Sequence, residues 1–233
     1  MYFVTGDTHG EFGRLYTLNK NFSLSEEDTI IILGDVGINY MGGERDRELK
    51  ERLSENFPFK MFCIHGNHER RPEGLGYSTI DWNGGEVYIE HRYPNLLFAK
   101  DGEIYDFDGK RCLVLGGAYS IDKGLRLRNN WHWFDDEQPD EKIKSMCEAK
   151  LNYVNWDVDI VLSHTAPFRY LPIETFATPL RHVHGLDIDY TTEIWLDTIE
   201  DRLTYSRWYL GHYHIESVVD KLRFMFKDII ELE

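Results

Sequence analysis

Six short runs of strand-forming residues recur along this chain, and nearly every one stops against a residue able to bind a proton or a cation. The runs are Tyr2–Thr5, Thr29–Leu33, Met61–Ile64, Cys112–Leu115, Asp159–Leu162 and Arg207–Leu210. Several are almost unbroken in hydrophobic residues, the composition of strands covered on both faces. Helical periodicity fills gaps between them. Leu49, Leu53 and Phe57 recur within 44–57, Ile143, Cys147 and Leu151 within 140–154, and Trp195, Ile199 and Leu203 within 191–203. Strand alternating with helix predicts an α/β layered fold. Two stretches read as antiparallel instead: 86–111, with turn signals at Asp101-Gly102 and Asp108-Gly109, and 215–233. The stretch 165–185 carries prolines at 167, 172 and 179 and reads as a long irregular loop of the kind that often serves function.

The 233 residues are enough for one large domain with a sizeable core, and residues 1–233 are read as a single domain. The longest apolar runs, such as Thr29-Ile30-Ile31-Ile32-Leu33, are one strand long, whereas a membrane helix needs about 20 residues. No basic segment precedes the first strand, so neither a membrane span nor a signal peptide is expected. Cys63, Cys112 and Cys147 are odd in number and lack C-x-x-C spacing. They read as buried thiols, which places the protein in the cytoplasm. The net charge of −15 disfavours nucleic acid as a partner, because a phosphate-tracking surface is basic. A small phosphorylated substrate stays compatible, since a metal centre can supply concentrated positive charge. Nothing in the residues selects an oligomeric state.

The polar residues fall in a pattern. After the first run come Gly6-Asp7-Thr8-His9-Gly10, and after the second Gly34-Asp35. After the third come His65-Gly66-Asn67-His68-Glu69, after the fifth Ser163-His164, and after the sixth Gly211-His212-Tyr213-His214. In open α/β sheets the ligand crevice lies beyond the carboxyl ends of the strands. Five segments therefore deliver Asp, His and Asn to one sheet edge. Each residue taken singly has a plainer role: Asp7 and Asp35 as turn or cap residues, His164 and His212 as satisfied core histidines, His68 as a structural residue. Together they make a mixed oxygen and imidazole set that suits Mn, Fe, Zn or Co, and the lack of thiolates argues against a structural zinc site. Seven side chains exceed the needs of one ion and suit two that share a carboxylate, an arrangement able to clamp both oxygens of a displacement at phosphorus.

The motifs Gly6-Asp7-x-His9-Gly10, Gly34-Asp35, Gly66-Asn67-His68-Glu69, Ser163-His164 and Gly211-His212-x-His214 resemble, in order, those of the calcineurin-like metallophosphoesterase superfamily. The resemblance implies a two-layered β-sandwich of mixed sheets flanked by helices, with a dinuclear metal site at the sheet edge. It implies that Asp7, His9 and His214 bind one ion and that Asn67, His164 and His212 bind the other. Asp35 would bridge them, with a hydroxide between the ions as nucleophile, and His68 would donate a proton to the leaving oxygen or stabilise the transition state. Two divalent transition-metal ions are thus expected, with Mn favoured in vitro. His212 and His214 would serve different ions, which an extended backbone would suit by sending residues i and i+2 to one face.

The implied activity is hydrolysis of a phosphomonoester or phosphodiester, with a phosphoprotein or a nucleotide as conceivable substrates. The alternatives are a catalytically silent interaction scaffold on the same fold or, within the enzyme class, a serine/threonine phosphatase or a nucleotide phosphodiesterase. The serine/threonine phosphatases of the superfamily continue the second motif as Gly-Asp-x-x-Asp-Arg-Gly. Here Ile38 and Asn39 replace its second aspartate and its phosphate-binding arginine, and His65 stands where those enzymes carry arginine. Substitute anchors for the substrate are sought in Arg70 and Arg71, whose planar guanidinium groups suit bidentate phosphate contacts. Tyr119 and Arg126 are further candidates. They lie in a run from Gly116 to Trp133 that resembles a segment of a less characterised bacterial and phage branch of the superfamily. His184, in Arg181-His182-Val183-His184, is the last candidate, as part of a lid.

Overall fold

The computed structural model describes residues 1–172 and 188–233. Its strands are β1 (Tyr2–Thr5), β2 (Thr29–Ile32), β3 (Lys60–Cys63), β4 (Ser78–Trp82), β5 (Gly85–Ile89), β6 (Leu96–Ala99), β7 (Ile104–Phe107), β8 (Lys110–Leu115), β9 (Ile160–Ser163), β10 (Arg207–Leu210), β11 (Ser217–Val219), β12 (Leu222–Phe224) and β13 (Ile229–Glu231). They form a seven-stranded sheet in the order β13-β1-β2-β3-β6-β5-β4 and a six-stranded sheet in the order β11-β12-β10-β9-β8-β7. The helices are α1 (Gly13–Phe22), α2 (Gly43–Asn56), α3 (Lys123–Arg128), α4 (Glu141–Tyr153) and, within the described residues, α5 (Thr191–Glu200).

The side-chain alternation along β2 shows why the sheets stack. Ile30 and Ile32 pack with Leu15 and Leu18 of α1 and Leu53 of α2, while Ile31 and Leu33 face inward against Val114, Leu162 and Tyr209 of the second sheet. Consecutive strand residues point to opposite faces, so a strand covered on both must be apolar throughout. Burial of each such side chain contributes about 1.5–3 kcal/mol, too much for either face to be surrendered to solvent. On the far side, Cys147 and Leu151 of α4 and Trp195, Leu196 and Ile199 of α5 cover Leu113, Val161 and Trp208. The result is a two-layered sandwich of mixed sheets flanked by helices, as the motifs implied.

Each sheet has a parallel centre. β1, β2, β3 and β6 run parallel in one, and β8, β9, β10 and β12 run parallel in the other. The loops that leave β1, β2, β3, β9 and β10 carry the polar motifs. The expected runs match these strands to within one or two residues, and Asp140 caps α4 by accepting from the Ile143 amide at 2.8 Å. The stretch 86–111 is not one antiparallel unit. β5 pairs antiparallel with β4 and β6, but β6 is parallel to β3, and β7 pairs with β8 in the other sheet. Likewise β13 leaves its neighbours β11 and β12 to pair with β1. Helix α1 and strand β4 have no counterpart in the pattern of runs. Only Leu15 and Leu18 of α1 are buried and its Phe12 cap makes no side-chain hydrogen bond, so the local signal is weak. All three cysteines are buried and unpaired. Among the described residues no helix is long and apolar enough to cross a membrane.

Helix α5 also buries Glu193. Its Oε1 accepts from the Thr165 hydroxyl at 2.9 Å, while Oε2 has no partner among the described residues. Burial pushes this carboxyl up to about 7. The folded value exceeds the ordinary 4.5, so the native state holds the extra proton between those pH values. Stability is therefore full below about pH 4.5 and declines as pH rises through 7, by on the order of 3 kcal/mol. Glu193→Gln keeps the acceptor for Thr165 and should raise Tm at pH 8 while leaving it little changed at pH 5. An equal gain at both pH values would refute the assignment.

Candidate metal centre

The motif loops interlock through their own backbones. The amides of Thr8 and His9 donate to the Asp35 carbonyl at 3.2 and 2.7 Å, Gly211 N–H donates to the His164 carbonyl at 3.0 Å, and Gly117 N–H donates to the His65 carbonyl at 2.8 Å. Approach this close demands glycine at two points. A Cβ on Gly66 would lie 2.1 Å from both the amide nitrogen and Oδ1 of Asp35, and one on Gly211 would lie 2.3 Å from Asp7 Oδ1. Glu69 clamps two of the loops together: its buried carboxylate accepts from the amides of Gly66 at 2.8 Å and Val36 at 3.0 Å. His9, Asp35, His212 and His214 all have left-handed backbone, with φ of 46°, 46°, 66° and 53°. Such conformations are uncommon for residues other than glycine and cluster where function fixes the geometry. The extended geometry expected for His212 and His214 is thereby corrected. β10 ends at Leu210, and a loop with two left-handed residues, not strand alternation, aims the two imidazoles.

The donors converge in two overlapping groups. In the first, Asp7 Oδ2 lies 3.1 Å from His214 Nε2 and 3.7 Å from His9 Nε2, and the two imidazole nitrogens are 2.9 Å apart. In the second, His164 Nε2 lies 2.8 Å from Asn67 Oδ1 and 3.6 Å from Asp35 Oδ1. Asp35 joins them, since its Oδ2 is 3.9 Å from His9 Nε2. Donor atoms of Asp7, His9 and His214 all lie within 4.8 Å of one another, and so do those of Asp7, Asp35 and His164 and those of His9, Asp35 and His68. The His212 ring stands 4.9 Å from that of His164, and its amide donates to Asp7 Oδ1 at 2.8 Å.

The chemistry of these contacts fits cations. His164 Nδ1 faces the Leu33 carbonyl at 2.7 Å, so in the neutral ring the proton sits there and Nε2 carries the lone pair. With the ring neutral, that lone pair would face two oxygen acceptors, Asn67 Oδ1 at 2.8 Å and Asp35 Oδ1 at 3.6 Å. Lone pairs converging in a buried place repel unless positive charge lies among them. His212 is held neutral, its pKa pushed down to about 3 by burial and by His164, which leaves its ring available as a ligand. Burial alone would raise Asp35, but His164, His68, His9 and the His68 amide outweigh it and hold the carboxyl well below the usual range. His214 is shifted up by its hydrogen bond to Asp7.

His68 lies at the mouth of the cluster. Its Nδ1 is 3.8 Å from Asp35 Oδ2, and its backbone amide donates to Asp35 Oδ1 at 2.8 Å. Arg126 is placed against it, with Nη2 3.2 and 3.0 Å from the two ring nitrogens. The guanidinium is fixed from behind, by Asp122 on Nε at 2.8 Å and by the His132 carbonyl and the Tyr40 hydroxyl on Nη1. Burial lowers the pKa of His68, an effect Asp35 opposes and Arg126 reinforces.

The other substrate candidates do not gather there in the same way. Arg71 is corrected: it is buried, with Nη1 on Asp101 Oδ2 at 2.5 Å and Nε on the Asp136 carbonyl at 2.8 Å, so it is committed to the fold. Arg70 is exposed and stacks its guanidinium 5.5 Å from the Phe134 ring centre. Tyr119 is buried, with Lys123 5.6 Å from its ring centre. His184 and the lid expected around it lie outside the described residues. The two departures from the phosphatase motif also have local explanations. Ile38 is fully buried in the core under α1 and α2, and Asn39 Oδ1 accepts from the Tyr77 hydroxyl at 2.6 Å. Both side chains are engaged within the fold. Ser120 and Glu137, which back Asn67, are not legible as site residues in the sequence. Ser120 falls within the run from Gly116 to Trp133, but nothing in the spacing links position 137 to it.

A two-sheet sandwich whose parallel strands deliver Asp, His and Asn from five loops to one cluster is the frame of a dinuclear metallohydrolase. The family model for calcineurin-like phosphoesterases matches residues 2–216, and the chain belongs to that family of phosphoester hydrolases. Among solved structures, one is similar over 96% of this chain and 88% of its own at 13% identity and a TM-score of 0.50, a likeness of fold alone. A protein of unknown function, AQ665 from Aquifex aeolicus, is 18% identical over 71% of this chain and 80% of its own, with a TM-score of 0.32. A protein serine/threonine phosphatase from Saccharomyces cerevisiae, described as similar to human phosphatase PP5, is 17% identical over 97% of this chain and 66% of its own, with a TM-score of 0.33. No curated protein matches the chain.

Proposed function

We propose that this chain hydrolyses a small phosphate ester at a pair of divalent metal ions, one held by Asp7, His9 and His214, the other by Asn67, His164 and His212, with Asp35 shared. The observation that carries the reading is the position of Asp35, within 4 Å of imidazoles from three other loops and anionic despite full burial. Bound there, two such ions supply Lewis acidity toward a phosphoryl oxygen and make water a better nucleophile at neutral pH. The chain's own residues do the rest. The left-handed loops hold the ligands in place before substrate arrives. His68 presents a ring nitrogen at the mouth, where it can share a proton with the leaving oxygen. Arg126 Nη2 adds a fixed positive charge beside it and serves as the phosphate anchor that Asn39 cannot be. The burial of Ile38 and the turning aside of Asn39 favour a small ester over a protein phosphatase's substrate.

The test is hydrolysis of p-nitrophenyl phosphate and bis(p-nitrophenyl) phosphate by purified protein supplied with Mn, Fe, Zn or Co. Turnover should vanish on chelation and return with added metal, and the ratio of the two rates should assign monoester or diester preference. No turnover of either ester with any of the four metals, or full turnover by the metal-stripped chain, would defeat the reading.

A further inference from the structure

Behind Asn67 runs a hydrogen-bonded chain that ends on a buried acid. Asn67 Nδ2 donates to Ser120 Oγ at 2.9 Å, and Ser120 Oγ donates to Glu137 Oε2 at 2.5 Å. The Ser120 amide donates to the other carboxylate oxygen, Oε1, at 3.1 Å. Asn67, Ser120 and Glu137 are 4%, 1% and 2% exposed, so water does not compete for these groups. The two loops that bring them together are themselves joined, since the Ala118 amide donates to the Glu137 carbonyl at 3.1 Å.

The polarity of this chain is determined from its far end. A carboxylate only accepts, so the single hydroxyl proton of Ser120 is committed to Glu137. Ser120 Oγ can then offer Asn67 nothing but a lone pair. Asn67 must turn its NH₂ toward Ser120 and its Oδ1 toward His164 Nε2. A carboxamide can rotate by half a turn about its last bond at little cost in shape, and in the wrong orientation it would present N–H groups to a cation. The Glu137 carboxylate removes that freedom.

From this arrangement we infer that Ser120 and Glu137 are positioning residues that lock the Asn67 side chain oxygen-first toward the metal ion it shares with His164 and His212. The inference rests on the dinuclear reading proposed above. It explains why the Gly116–Ser120 loop folds back onto the Gly66-Asn67 turn, and it assigns a metal-directed task to Glu137, which touches none of the ligands except through Ser120.

Glu137→Gln tests it with almost no change of volume. The Ser120 amide still needs an oxygen, so the new NH₂ faces Ser120 Oγ. The hydroxyl proton is released toward Asn67, and the carboxamide is driven to reverse. Loss of such a supporting partner costs roughly 10–100-fold in metal affinity. Equilibrium dialysis against graded Mn with elemental analysis should give two ions per wild-type chain. In Glu137→Gln and in Ser120→Ala the second ion should bind at least about 10-fold more weakly, while the first, on Asp7, His9 and His214, keeps its affinity. Asp7→Asn, which should weaken the first ion, serves as the opposite control. Equal affinities for the second ion in wild type and Glu137→Gln would overturn the inference with the dinuclear reading intact, and so would a uniform weakening of both ions, the mark of a general structural defect. A wild-type chain that takes up no ion would instead sink the dinuclear reading itself.

Discussion

Asp35→Asn should lose roughly 10²–10³-fold in turnover of a phosphate ester and should bind both metal ions more weakly, while remaining folded. The expectation follows from what the substitution keeps and what it removes. The introduced carboxamide can retain an oxygen for the His68 amide, now 2.8 Å from Asp35 Oδ1, so the loop keeps its local partner. What disappears is a buried negative charge facing His9, His68 and His164 at 3.6–3.9 Å. A charge in that position is the common counter-ion of both donor groups, so neutralising it weakens the two ions together, unlike a change at Asp7 or Asn67. Three measurements separate the possibilities: ester turnover, ions bound per chain, and Tm of the metal-free protein. Near-normal turnover with two ions bound would refute the shared role. A collapse of Tm in the metal-free protein would mean that Asp35 acts on the fold and not on the metals.

Gly66→Ala should be nearly as damaging without touching a ligand. The added Cβ would stand 2.1 Å from Asp35 N and Oδ1, a backbone atom and an atom held by a hydrogen bond, neither of which can give way cheaply. Overpacking of this kind costs about 1–3 kcal/mol or more in stability. Here the strain falls on the turn that carries Asn67 and His68 and on the loop of Asp35 at once. The expected outcome is loss of most turnover, weakened binding of both ions and a lowered Tm. Gly74→Ala, in an exposed turn with nothing within 4 Å of the new methyl, should leave all three unchanged. If Gly66→Ala turned over ester at the wild-type rate, the interlocking of the loops would not be what positions the ligands.

The contrast between His68 and Ile38 shows how far the residues can be read without the fold. His68 follows a glycine and an asparagine after an apolar run, and the family resemblance carried by that order implies its place at the site, while its 3.8 Å approach to Asp35 comes from the fold. Ile38 stands where a phosphatase has an acid, and only the structure shows why. The side chain faces the helix-packed core, so an aspartate there would be buried among Ile30, Leu53 and Phe57. The two arginines after the motif make the same point. Arg70 and Arg71 are neighbours with equal promise in sequence, yet one is exposed over Phe134 and the other is spent on Asp101. Arg126, in contrast, reaches His68 because α3 brings it across from β8 and Asp122 one turn earlier holds it.

By itself the sequence determined the layered fold, the ends of the central strands and the side chains able to bind cations, because alternation and apolar length dictate burial locally and glycine-acid pairs punctuate strand ends. Tertiary structure alone decided which loops touch, which way the Asn67 carboxamide faces, and which arginine stands over the centre. Those outcomes depend on contacts between residues far apart in the chain, Asn67 with Ser120 and Glu137, Arg126 with His68, Asp7 with His214. Spacing along the chain carries no information about such distances until the strands have paired and the two sheets have closed on their shared core.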